Sequence, residues 1–91
     1  MIRVQYSQDY LSGLKELISQ NPDISEEINK RIRWFVKKPS DERLKNHALT
    51  GKMFGICAFS LDNDLRIIYI WLDNDRVRFI AVGNHEKVYG S

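Results

Sequence analysis

Residues 54–82 read FGICAFSLDNDLRIIYIWLDNDRVRFIAV. Three apolar runs, Phe54–Leu61, Leu65–Leu72 and Val77–Val82, alternate with two polar knots, Asp62-Asn63-Asp64 and Asp73-Asn74-Asp75. Runs of six to eight residues rich in Ile, Val, Phe, Tyr and Trp are strand formers, and Asp/Asn clusters between them fold onto local N–H groups and close tight turns. The stretch therefore predicts a three-stranded antiparallel meander. Both histidines of the chain flank it, His47 just before the first strand and His85 just after the last. Any chemistry is to be sought around that sheet.

Towards the N-terminus the periodicity changes. Ile2, Val4 and Tyr6 alternate with Arg3 and Gln5, which reads as a short, half-buried strand. Ser7 is placed to cap a helix, with Asp9 in its first turn. Tyr10, Leu11, Leu14, Leu17 and Ile18 form one apolar stripe. Gly13 interrupts it and predicts close packing against a neighbouring element. Asn21-Pro22 ends this helix. A second begins at Asp23-x-x-Glu26, a capping-box pattern, and stops at Pro39. Its stripe is Ile28, Ile32, Phe35 and Val36; Lys30, Arg31, Arg33, Lys37 and Lys38 cover the remainder. Those cations make either a solvated face or a surface for RNA or an acidic partner. Residues 40–53 read as a loop anchored by Leu44 and Leu49, with a turn at Thr50-Gly51-Lys52. Arg66 is the odd member of its apolar run, either closing the sheet margin or projecting into a groove.

With 91 residues the chain makes one domain, residues 1–91, near the size where stability margins are thin. The net charge of +2 does not imply a broad basic face for a nucleic-acid duplex. No apolar stretch approaches the roughly 18–20 residues that span a bilayer. Arg3, Gln5 and Asp9 interrupt any apolar leader, so a cytoplasmic protein with no membrane contact is expected. The single cysteine, Cys57, excludes an internal disulfide, and no second thiol completes a metal site.

A strand, two helices and a meander ending in Gly-x-His-x-x-x-Tyr resemble the RelE/ParE superfamily of bacterial and archaeal toxins, nearest its RelE and YafQ branches. The residues that carry the resemblance are His47-Ala48-Leu49-Thr50-Gly51-Lys52, the segment from Phe59 to Tyr69, and Val82-Gly83-Asn84-His85-Glu86-Lys87-Val88-Tyr89. The fold it implies is α+β, β-α-α-β-β-β, a helical hairpin packed on a mostly antiparallel four-stranded sheet. The function it implies is that of a type II toxin, a ribosome-dependent mRNA endonuclease that works without a metal or other cofactor. Its implied partners are a cognate antitoxin, the ribosome and mRNA. The superfamily also holds ParE-like gyrase inhibitors without nuclease chemistry, and a member reduced to antitoxin binding is a further alternative.

The resemblance implies site residues too. His47 matches a histidine before the meander, Asp64 an aspartate opening its second strand, His85 a histidine in the tail and Tyr89 the last aromatic. Arg66 matches an arginine of the RelE branch. Ser60 stands where the YafQ branch carries another histidine, and Gly55 and Cys57 fall near lysines of the RelE branch. RNA cleavage by its own 2′-OH needs a base, a stabiliser of phosphorane-like charge, and an acid for the 5′ oxygen. His85 and His47 suit the proton roles. Arg66 and Lys52 suit charge stabilisation and RNA binding, Arg66 through two N–H groups at once. Tyr89 can stack on a base, orient the phosphate or transfer a proton. Asp64 orients His47 or His85, or merely caps a turn.

Overall fold

The computed structural model of the chain describes residues 1–49, 55–62 and 64–84. Its elements are β1 (Arg3–Tyr6), α1 (Gln8–Gln20), α2 (Ile24–Lys37), a single 3₁₀ turn (Glu42–Leu44), β2 (His47–Ala48), β3 (Cys57–Ser60), β4 (Leu65–Trp71) and β5 (Arg76–Asn84). They form one sheet in the order β1-β5-β4-β3-β2. The β3–β4–β5 meander is antiparallel, as its two polar knots predict, while β1 pairs with β5 in parallel.

Four strands are expected and five are present among the described residues. The additional strand, β2, lies inside the segment that reads as a loop. It has only two residues, paired as His47 with Ala58 and Ala48 with Cys57. So short a strand carries no period of its own; the free edge of β3 makes it one. The Thr50-Gly51-Lys52 turn and Phe54, the expected start of the first meander strand, lie outside the described residues.

The helix ends divide between agreement and correction. Ser7 Oγ accepts the Tyr10 N–H at 3.0 Å and donates to the Ile80 carbonyl at 3.2 Å, so the cap also ties α1 to β5. The capping box at Asp23 is absent. Asp23 is already helical (φ −69°, ψ −17°) and makes no cap hydrogen bond with its side chain. The Asn21 and Pro22 carbonyls take the N–H groups of Ile24 and Ser25, and so do its work.

Both helices cover one face of the sheet. Phe35 of α2 stacks on Phe59 with ring centroids 4.6 Å apart and meets Tyr69 and Phe79 edge-on. Tyr10 of α1 meets Phe79 in the same way. Gly13 explains itself here, because a Cβ at that position would lie 3.2 Å from the Val82 carbonyl oxygen. Leu11 departs from the expected stripe and is 42% exposed. The four other members of the stripe already meet the sheet and α2. Leu44 is fully buried, as an anchor of its segment should be.

A register shift beside Ile68 and Tyr69 rephases β5. Ile68 pairs with Ala81 but Tyr69 pairs with Phe79, leaving Ile80 as the extra residue. Val77, Phe79 and Val82 can then all enter the core, although strict alternation would separate Val82 from the other two.

Candidate active site

Strand register assigns the candidate residues to faces. Directly paired residues share a face, so His47, Ala58, Ile68 and Ala81 form one row across the side of the sheet turned away from the helices. Two residues along, Ser60, Arg66 and Gly83 form the next row. His47 and Arg66 therefore share this second face. Ideal sheet spacing puts their Cα atoms roughly 12 Å apart, two strands across and two residues along.

Arg66 sits on β4, the central strand, and so does not close a sheet edge. Its Nη1 donates to Ser60 Oγ at 3.0 Å, and Ser60 is itself buried. Ser60 thus orients the arginine. Gly83 opposite offers no side chain to obstruct it.

Asp64 is not brought to His47. It lines a crevice between α1 and the ends of β4 and β5, together with Gly13, Glu16, Leu17, Gln20 and Asn84. The β3–β4 turn is held by Asp62, whose Oδ1 accepts from the N–H groups of Asp64 and Leu65 at 2.8 Å each. Turn closure, one of the roles open to Asp64, is carried out by Asp62, two residues earlier. Lys52, His85 and Tyr89 lie outside the described residues.

The segment that delivers His47 is fastened at several points. Arg43 stacks on Trp34, with its guanidinium carbon 3.6 Å from the ring centre, and grips Asp41 with two nitrogens at 3.0 and 2.7 Å. Arg31 donates to the Arg43 carbonyl at 2.8 Å and also pairs with Glu27. Asn46 donates to the Pro39 carbonyl at 2.9 Å and accepts from the Tyr69 hydroxyl at 2.7 Å. His47 Nδ1 lies 3.0 Å from the Lys45 carbonyl. Of the five α2 cations, Lys30 and Arg31 are engaged by Glu27 and flank Trp34, while Arg33, Lys37 and Lys38 are exposed. Sequence reading passes over Trp34, Asn46 and Tyr69, since one aromatic on a helix, one Asn in a loop and one Tyr in an apolar strand carry no motif.

This fastening has a pH signature. Hydrogen bonds from the Arg43 side chain and backbone hold the Asp41 carboxyl down at about 2. A carboxyl depressed in the folded state stabilises it above the unfolded value of about 3.9 and stops doing so as pH falls through the folded value. Trp34 fluorescence is therefore expected to change between about pH 4 and 2 as Arg43 loses its partner. Arg43→Ala should remove that change; a transition that persists unchanged in the variant would detach it from this contact.

No metal-binding group of three or more His, Cys, Asp or Glu occurs among the described residues, and no helix among them is long and apolar enough to cross a membrane. No protein-family model and no curated protein matches the sequence. Solved structures do match over almost its whole length. YafQ from E. coli superposes with a TM-score of 0.81 at 18% identity, covering 99% of this chain and 100% of that one. A copper-bound mutant toxin from Helicobacter pylori gives 0.80 at 22% identity, covering 97% and 99%. The toxin–antitoxin complex DinJ–YafQ from E. coli gives 0.75 at 22% identity, covering 98% of each chain. The chain has the α+β fold of these toxins.

Proposed function

We propose that this chain is a RelE/ParE superfamily toxin, nearest the YafQ branch, that cleaves mRNA on the ribosome and is silenced by a cognate antitoxin. One observation carries the reading. His47 and Arg66 share the helix-free face of the sheet, and His85 is tethered two residues from the glycine that faces Arg66. This reading gives the site two groups of the type that exchange protons near neutral pH and a guanidinium for the phosphate.

The chemistry follows from those groups. The 2′ oxygen bonds to phosphorus as its proton passes to one imidazole; the P–O5′ bond breaks as the 5′ oxygen takes a proton from the other. The products are a 2′,3′-cyclic phosphate and a 5′-hydroxyl. Arg66 stabilises the charge that builds on the non-bridging oxygens, with Lys52 as a second cation. Tyr89 stacks on a base or orients the phosphate. The antitoxin is a small segment that is disordered alone. It wraps the domain, adds to a sheet edge at β1 or β2 and covers the Arg66–His85 groove.

A domain with only +2 net charge holds RNA weakly, so much of the rate must come from substrate positioning by the ribosome. Purified protein is expected to cut ribosome-bound mRNA at least about 100-fold faster than the same RNA free in solution. Primer extension on both substrates measures this. Equal cleavage of naked RNA would remove the ribosome from the account. Growth arrest with DNA damage and intact mRNA would point to gyrase instead. Failure of the neighbouring gene product to bind and to rescue growth would remove the antitoxin.

A further inference from the structure

We infer that Tyr69 is a positioning residue: through Asn46 and the Lys45 carbonyl it holds the His47 imidazole with its proton on Nδ1, leaving Nε2 free to accept one. The inference rests on the reading of His47 as a proton-exchanging group. Its geometry stands independently of that reading.

A main-chain carbonyl only accepts hydrogen bonds. With Lys45 O at 3.0 Å, Nδ1 must therefore carry the hydrogen, and the lone pair of the neutral ring is on Nε2. A free histidine side chain favours the opposite tautomer, so the carbonyl's direction decides the matter. Lys45 is the one non-glycine among the described residues with a positive φ, 50°, in the left-handed region. It closes the 3₁₀ turn, with its N–H donating to the Glu42 carbonyl at 3.2 Å. A lysine stays in this disfavoured conformation only where its surroundings over-determine it. Asn46, next in the chain, supplies that constraint.

Asn46 has a single orientation here. The Pro39 carbonyl can only accept, so Nδ2 faces it and Oδ1 must face Tyr69. The Tyr69 ring is packed by Phe35, Phe59 and Phe79. Burial pushes its phenol well above the usual range, so the hydroxyl stays a donor at every working pH. The aromatic core thereby reaches the exposed ring of His47 through one buried hydroxyl, one amide and one carbonyl.

The test is direct because the chain has only two histidines. Long-range ¹⁵N–¹H correlation spectra at pH 8 report the tautomer of each, and His85→Gln identifies the His47 signals. Wild-type His47 is expected to be predominantly the Nδ1–H form. Tyr69→Phe removes one oxygen and keeps the ring; it should move His47 towards the Nε2–H form and lower kcat on ribosome-bound mRNA about tenfold, with KM unchanged. Asn46→Ala, at a half-buried loop position, should do the same while leaving every core ring in place. An Nε2–H form in the wild type overturns the inference, as does an unmoved tautomer in both variants. A moved tautomer with undiminished cleavage upholds the positioning and instead removes His47 from the reaction.

Discussion

Changing His85 to alanine is expected to lower cleavage of ribosome-bound mRNA by about 10²–10⁴-fold, the usual loss when a proton-transfer group is removed. Growth arrest on induction should disappear with it. The fold should persist, with any change in stability below about 0.5 kcal/mol. The size of the effect follows from scarcity. His47 and His85 are the only histidines of the chain, so the site has no spare imidazole for the second proton. Register adds that β5 ends at Asn84 and that Gly83 pairs with Arg66. Tyr89→Ala should act in the same direction but less strongly, because stacking and orientation are shared with the ribosome. The assay needs an antitoxin-binding control. A variant that folds, binds the antitoxin and still arrests growth with DNA damage and intact mRNA would move the protein to the gyrase-inhibitor class.

Phe35→Ala is expected to cost about 3–5 kcal/mol, at the top of the range for single substitutions. Phe35 is fully buried and is the one α2 side chain whose ring meets three core aromatics of the sheet, Phe59, Tyr69 and Phe79. Alanine would leave a cavity bounded by rigid rings on neighbouring strands, which cannot close in without breaking the sheet ladder. A domain of this size holds only about 5–15 kcal/mol in total. Urea denaturation should therefore show a midpoint lowered by a third or more, with a similar slope. A shift worth less than about 1 kcal/mol would mean that α2 is held mainly by other contacts. The same cavity would loosen the Tyr69 ring, so residual cleavage in folded Phe35→Ala should fall further than its folded fraction accounts for.

The parts of this fold that can be read along the chain are those held by neighbours in the chain. Ser7 caps α1 through the N–H of Tyr10 three residues on, Asn21-Pro22 and Pro39 stop their helices, and Asp62 and Asp73 close the two meander turns within three residues of themselves. Period, capping and turn chemistry act over that range, so the order of strands and helices was legible, and with it the toxin-like architecture. The candidate site residues were proposed from their motif spacing. Their arrangement was not legible there, because it depends on partners distant in sequence. β2 is a strand only because β3 lies beside it, and β1 runs parallel to β5 across more than seventy residues. The extra residue at Ile80, which brings Val82 into the core, answers to the packing of α1 rather than to any local preference. Arg66 finds Ser60, and Tyr69 finds Asn46, only once the sheet and the loop have closed on each other. Hydrogen bonds of that reach leave no period in a sequence, which is why the group that orients His47 had no signal at all, and residue type alone did not separate Asp62 from Asp64 as the carboxylate that closes the turn.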